Sequence, residues 1–179
     1  MTNDEKGIQC ITEILQRVTK QEVYNTKDFQ DTSVLGQYAP FDCFIKDGDK
    51  MVAAEAKYRH YNSFDYEDIM ISEPKIIRLR ELYNEGIIRD AILFNTFKDG
   101  ITFSCHLFSR YEPRVRRGKR TTDFYDDRII DKVDYLFRPN YAWWKADGKI
   151  WRVTYRRYRQ MNNLPPLPDV DAILKKFHF

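Results

Sequence analysis

Two acids and a lysine around one tight turn carry the chemistry in this chain. Asp42 follows Pro40-Phe41, and Glu55-Ala56-Lys57 comes just after the turn-forming stretch Lys46-Asp47-Gly48-Asp49. Two convergent carboxylates suit a hard divalent cation such as magnesium, which takes oxygen ligands and completes its shell with waters, a backbone carbonyl or a substrate phosphate. Such an ion orients water and stabilises charge on a phosphate, while an ammonium one step along the same face holds or helps deprotonate the attacking water. This pattern points to metal-assisted hydrolysis of a phosphodiester, and it needs no histidine or cysteine nucleophile.

These residues act together only if local structure brings them to one surface. Asp47-Gly48 is favoured at the centre of a two-residue hairpin loop, where both positions must tolerate positive φ. Centred there, the turn sets Lys46 opposite Asp49, Phe44 opposite Met51 and Asp42 opposite Ala53. Alternation then puts Asp42, Ala53, Glu55 and Lys57 on one face and Cys43, Ala54 and Ala56 on the other. Glu55 lies diagonal to Asp42, at roughly 7 Å between β-carbons. The competing reading is a pair of cross-strand ion pairs on a solvated face, worth no more than roughly 1 kcal/mol. Apolar neighbours on both strands favour a buried face, where an acid cluster requires a cation. Cys43 reads as a small buried apolar residue.

The surrounding pattern supplies the scaffold. Ile8, Ile11, Leu15 and Val18 recur at three- and four-residue steps and predict a helix from about Asp4 to about Lys20. Tyr24 to Leu35 is assigned a short strand, and Phe41 to Ile45 with Met51 to Tyr58 forms the hairpin. Ser72 is an N-cap, with Pro74 in the first turn of a second helix that buries Ile76, Leu79 and Tyr83 and stops at Gly86. Ile87 to Phe97 and Ile101 to Phe108 read as antiparallel strands around Lys98-Asp99-Gly100. Beyond Ser109 the expectation is a basic loop, a helix over Arg128 to Leu136, Tyr141 to Trp144, a turn at Asp147-Gly148 and a strand from Ile150 to Tyr155. In that strand Trp151, Val153 and Tyr155 alternate as core residues.

Pro40-Phe41-Asp42, the hairpin and Glu55-Ala56-Lys57 resemble the active-site motif of the PD-(D/E)XK nuclease superfamily, and the helix and strand order agrees with its core. The motif departs from the pattern in the phenylalanine between proline and aspartate. The resemblance implies an α/β fold with a restriction endonuclease-like α-β-β-β-α-β core, a mixed central sheet flanked by helices, and a C-terminal extension. Residues 1–108 would form the nuclease-like core, and 109–179 a basic and aromatic extension packed on the same domain. It further implies a deoxyribonuclease, an endonuclease rather than an exonuclease, using Mg2+ or Mn2+. Asp42 and Glu55 would be metal ligands and Lys57 the catalytic lysine. Members often carry another acid on the first helix; Glu5 is the better candidate because Glu13 falls away from the apolar face. Lys75 matches a basic residue that some phage and bacterial members carry at the second helix, within reach of a phosphate near that helix N-terminus.

Net charge is only +3, but its distribution is uneven. Arg114, Arg116, Arg117, Lys119 and Arg120 cluster around Gly118, a pattern that fits DNA backbone contacts with steep salt dependence. Cys10, Cys43 and Cys105 are odd in number and widely spaced, which disfavours a disulfide framework or a zinc site and suits a reducing cytoplasm. His60, His106 and His178 share no ligand spacing. No apolar run is long enough to cross a bilayer, and no export signal is visible, so a cytoplasmic protein without a membrane partner is expected. The expected partner is DNA, with homodimerisation as a route to cutting both strands. Two other functions compete: a catalytically silent nucleic-acid-binding or assembly module of the same fold, and an enzyme acting on a small phosphorylated substrate.

Overall fold

The computed structural model describes residues 1–26, 41–108, 114–122 and 128–165; for 114–117, 119–122 and 129–131 it describes the backbone alone. Pro40 and most of the expected Tyr24–Leu35 strand fall outside these residues. The chain begins with α1 (Asn3–Thr19). Thr2 and Glu5 form a reciprocal capping box: Glu5 N–H donates to Thr2 Oγ1 at 3.2 Å, and Thr2 N–H donates to Glu5 Oε2 at 2.6 Å. The helix buries Gly7, Ile11, Ile14 and Leu15. Val18, expected in that face, lies in the last turn of α1, one residue before its end, and is 48% exposed.

Three strands follow: β1 (Val23–Asn25), β2 (Cys43–Asp47) and β3 (Lys50–Arg59). A short β4 (Ile69–Ser72) leads directly into α2 (Glu73–Asn84), and β5 (Ile88–Phe97) and β6 (Thr102–His106) come next. Ser72 occupies the N-cap position of α2, as expected, but its side chain makes no capping hydrogen bond. Ile76, Leu79 and Leu82 are the buried residues of α2; Tyr83 is partly exposed and stacks on Phe108 instead.

The C-terminal part departs from expectation. Arg114–Thr122 is strand β7 rather than a loop, and Ile129–Phe137 is strand β8 rather than a helix. Long-range pairing decides both: β7 and β8 pair antiparallel along their full length, and β8 also pairs with β4. The apolar spacing of Ile129, Ile130, Val133 and Leu136 is compatible with either period, and tertiary partners override it. Asp147 and Gly148, both at positive φ, turn β9 (Tyr141–Ala146) into β10 (Lys149–Thr154). A helix not anticipated from the sequence, α3 (Tyr155–Met161), follows with Thr154 as its N-cap. Tyr155 is buried as the first residue of that helix, whereas Trp151 is 46% exposed on β10.

The result is an α/β structure with three helices among the described residues and a mixed seven-stranded sheet of order β1-β2-β3-β5-β6-β9-β10. Among the described strands of this sheet, only β3 and β5 pair in parallel. A three-stranded sheet, β4-β8-β7, completes the architecture. The C-terminal segment is therefore woven into both sheets. Among the described residues no helix is long and apolar enough to cross a membrane.

Each face of β3 is covered differently. Ala54 and Ala56 pack with Ile11, Ile14, Leu15 and Cys43 under α1, while Ala53 packs with Phe44, Ile76, Leu79 and Leu93 towards α2. Gly7 lies against this strand: a β-carbon there would sit 3.6 Å from Ala56 Cβ and 3.6 Å from Tyr58 N, ordinary van der Waals spacing. Gly7→Ala is therefore expected to stabilise the protein by about 0.5–1 kcal/mol through helix propensity. Gly7→Leu should cost about 1–3 kcal/mol by levering α1 off β3. Urea unfolding midpoints of the two variants test this; two changes of the same sign would contradict the packing described.

Candidate active site

The hairpin that carries the site turns one residue later than expected. Gly48 and Asp49 form the loop, and Gly48 alone takes positive φ (64°), as a type II′ turn requires. Asp47 pairs with Lys50, Phe44 with Ala53 and Cys43 with Ala54, so continuing the ladder sets Asp42 directly opposite Glu55 rather than diagonal to it. Moving the loop centre by one residue changes each pairing by two positions. The parity of the faces survives, so Asp42, Ala53, Glu55 and Lys57 still share one face.

Asp42 sits just before β2, where the ladder runs out. Its N–H donates to Ala54 O at 3.0 Å, and its Oδ2 accepts from Ala56 N–H at 2.8 Å. The side chain thus replaces a missing backbone acceptor and ties the start of β2 to the Glu55-Ala56-Lys57 segment. Oδ1 lies outside that bond.

Glu55 is 2% exposed. Its Oε1 receives the Lys75 ammonium in a close ion pair, and Lys57 Nζ stands 3.9 Å from the same oxygen. Oε2 is buried and accepts no hydrogen bond. Burial pushes the Glu55 carboxyl up to about 7 and the negative charge of Asp42 pushes in the same direction, against the pull of Lys75 and Lys57. Across the sheet, burial raises the Cys43 thiol to about 12, with Asp42 and Glu55 adding to the effect. Cys43 is fully buried, as expected, and is no nucleophile.

Glu55 and Lys57 open into a cavity of about 130 Å³ between the large sheet and the small one. Arg59, next on the same face of β3, also lines it; opposite stand Ser72 and Lys75 at the start of α2, and Lys132 and Asp134 from β8. Asp134 is 3% exposed. Neither Arg59 nor Asp134 was singled out by sequence reasoning. Arg59 was legible in principle, since it continues the alternation Glu55, Lys57, Arg59; Asp134 was not, because its strand was read as a helix.

Glu5, expected as a third metal ligand, is committed to the capping box, and α1 covers the sheet face opposite Glu55. The structure does not bring it together with Asp42 and Glu55. Glu13, expected to be solvated, forms a surface ion pair with Lys145. Lys75 does join the site, although its ammonium reaches Glu55. The side chains of Arg114, Arg116, Arg117, Lys119 and Arg120 lie outside the described part of the structure, and only their strand backbone is placed.

Family models, curated proteins and solved structures were compared with this chain, and none matches. The site therefore has to be interpreted from its own chemistry. Among the described residues no three His, Cys, Asp or Glu side chains form a ready-made metal cage. The residues present nevertheless fit a magnesium-type ion, which binds through one or two carboxylates and keeps waters. The supporting observation is Glu55 Oε2, a buried acceptor with no donor, whose charge is made costlier by Asp42.

Proposed function

We propose that this protein is a metal-dependent nuclease that hydrolyses phosphodiester bonds in DNA, built on the restriction endonuclease-like variant of its α/β sheet. The observation that carries this reading is Glu55: a buried carboxylate with one oxygen unpartnered, beside Asp42, on the same strand face as Lys57 and open to a cation-lined cavity. Asp42 and Glu55 would hold Mg2+ or Mn2+. When bound, the ion supplies Lewis-acid stabilisation of charge on the phosphate and lowers the pKa of a water. Lys57 holds the attacking water and offsets charge as the transition state forms, from a partly exposed position that lets its ammonium reach the cavity. Asp42 keeps the β2–β3 corner closed through Ala56 N–H, which fixes Glu55 and Lys57 relative to each other.

A second reading has an observation in its favour. The Lys75 ammonium already neutralises Glu55 Oε1, as in a site that dispenses with metal and serves only binding or assembly. Calorimetric titration with Mn2+, alongside cleavage assays on supercoiled, linear, single-stranded and branched DNA, separates the two. The nuclease reading expects Mn2+ binding that is lost in Glu55→Gln and cleavage of at least one DNA form. Intact DNA binding with neither metal uptake nor cleavage would establish the silent module.

A further inference from the structure

Arg59 differs from Lys57 and Lys75 in the cavity: among the described residues no carboxylate pairs with it. Lys75 and Lys57 both face Glu55. The Arg59 guanidinium instead donates from Nε to Asn95 Oδ1 at 2.7 Å and from Nη2 to Met70 O at 3.3 Å, both uncharged acceptors. Nη1 donates to no described residue. Asn95, which anchors it, is 1% exposed and sits beside Lys57 in the parallel register of β3 and β5. The Asn95 amide Nδ2 is itself buried with no acceptor.

A partly buried guanidinium fixed by two neutral acceptors loses little entropy on binding and presents its remaining N–H groups in a planar fork. Two strands hold it: Asn95 on β5 of the large sheet and Met70 on β4 of the small one. Phosphate is the ligand chemistry that such a fork matches.

We propose that Arg59 is a phosphate-binding residue, positioned by Asn95 and the Met70 carbonyl to receive a backbone phosphate of DNA in the cavity beside Glu55 and Lys57. The inference rests on the proposed DNA substrate but not on cleavage. Arg59 serves the phosphate while Lys75 remains with Glu55, so the two cations have separate tasks.

The test is DNA binding without metal, which separates it from catalysis. Affinities of labelled duplex and single-stranded DNA are measured in EDTA over a series of salt concentrations for wild type, Arg59→Gln, Arg59→Lys, Asn95→Leu and Lys132→Gln. Arg59→Gln is expected to weaken binding about tenfold and to lower the salt slope by about one. Arg59→Lys should keep the slope but lose affinity, because one ammonium cannot serve Asn95, Met70 and a phosphate in the same geometry. Asn95→Leu should weaken binding with the slope retained, the mark of a positioning residue. Should Asn95→Leu fail to fold, Arg59→Gln and Arg59→Lys still decide. Wild type without DNA affinity, or Arg59→Gln with unchanged affinity and slope while Lys132→Gln loses both, overturns the proposal. Arg59-dependent binding by a protein that cuts no DNA would sink the nuclease reading and leave the phosphate site standing.

Discussion

Lys57→Ala is expected to reduce DNA cleavage by about 10²–10⁴-fold with DNA binding in EDTA nearly unchanged, because positioned proton transfer is worth about that much. The side chain is partly exposed and stands 3.9 Å from Glu55 Oε1, while Lys75 is the closer partner of that oxygen. Removing Lys57 therefore leaves the Glu55 charge paired and the fold intact. Asp42 requires a subtler substitution. Asp42→Ala deletes the acceptor of Ala56 N–H as well as the charge, so a loss of activity would be ambiguous. Asp42→Asn keeps an oxygen for that hydrogen bond and removes only the charge. The expected result for Asp42→Asn is native thermal stability, lost Mn2+ binding and cleavage reduced as severely as in Lys57→Ala. Single-turnover assays on the DNA form that wild type cuts provide the measurement. If both variants cut as well as wild type, the assigned site is wrong.

Stability of the metal-free protein is expected to fall as pH rises from about 4.5 to about 7 and to level off above that. The Glu55 carboxyl titrates near 4.5 in the unfolded chain and near 7 in the folded one. Between these values the folded state holds a proton that the unfolded state has released, so each step up in pH favours unfolding. A shift of that size amounts to about 3 kcal/mol of stability, present below pH 4.5 and gone above pH 7. Glu55→Gln removes the titration. At pH 8 it should be the more stable protein by about 2–3 kcal/mol, while its cleavage and Mn2+ binding are abolished. Lys75→Met should move the inflection of the wild-type profile above pH 7, since the ammonium is the strongest influence holding that value down. Urea unfolding in EDTA across pH 4 to 9 reads all three proteins. Parallel wild-type and Glu55→Gln profiles would show that Glu55 is not held as described. A stability gain coupled to loss of function is what a buried carboxylate kept for chemistry should produce.

The elements around the site were legible because their signals are local. Helical spacing in Ile8 to Leu15, the Ser72 cap before Pro74, and the glycine turns at Gly48, Gly100 and Gly148 specify structure within a few residues of themselves. The reciprocal cap of Thr2 and Glu5 is equally local, a Thr-x-x-Glu pattern at the helix start that engages the Glu5 carboxylate. Period-two alternation proved sturdier than the turn. The loop lies one residue beyond the expected centre, yet Asp42, Glu55 and Lys57 keep their common face because the register changed by an even number.

Composition and spacing were enough to put two carboxylates and a lysine on one surface and to suggest what such a surface does. Tertiary structure alone decided how charged that surface is and what faces it. The burial of Glu55, the Lys75 ammonium on its Oε1, and the cavity wall from β8 all come from strands and helices distant in sequence. Arg59 has the same origin, held by Asn95 on β5 and Met70 on β4. The β8 segment differs from its helical expectation for the same reason, since its strand state is set by pairing with β4 and β7 and not by its own residues. Alternation acts through neighbouring residues and is written along the chain; desolvation and counter-charge act through space, and they exist only once the two sheets have closed over Glu55.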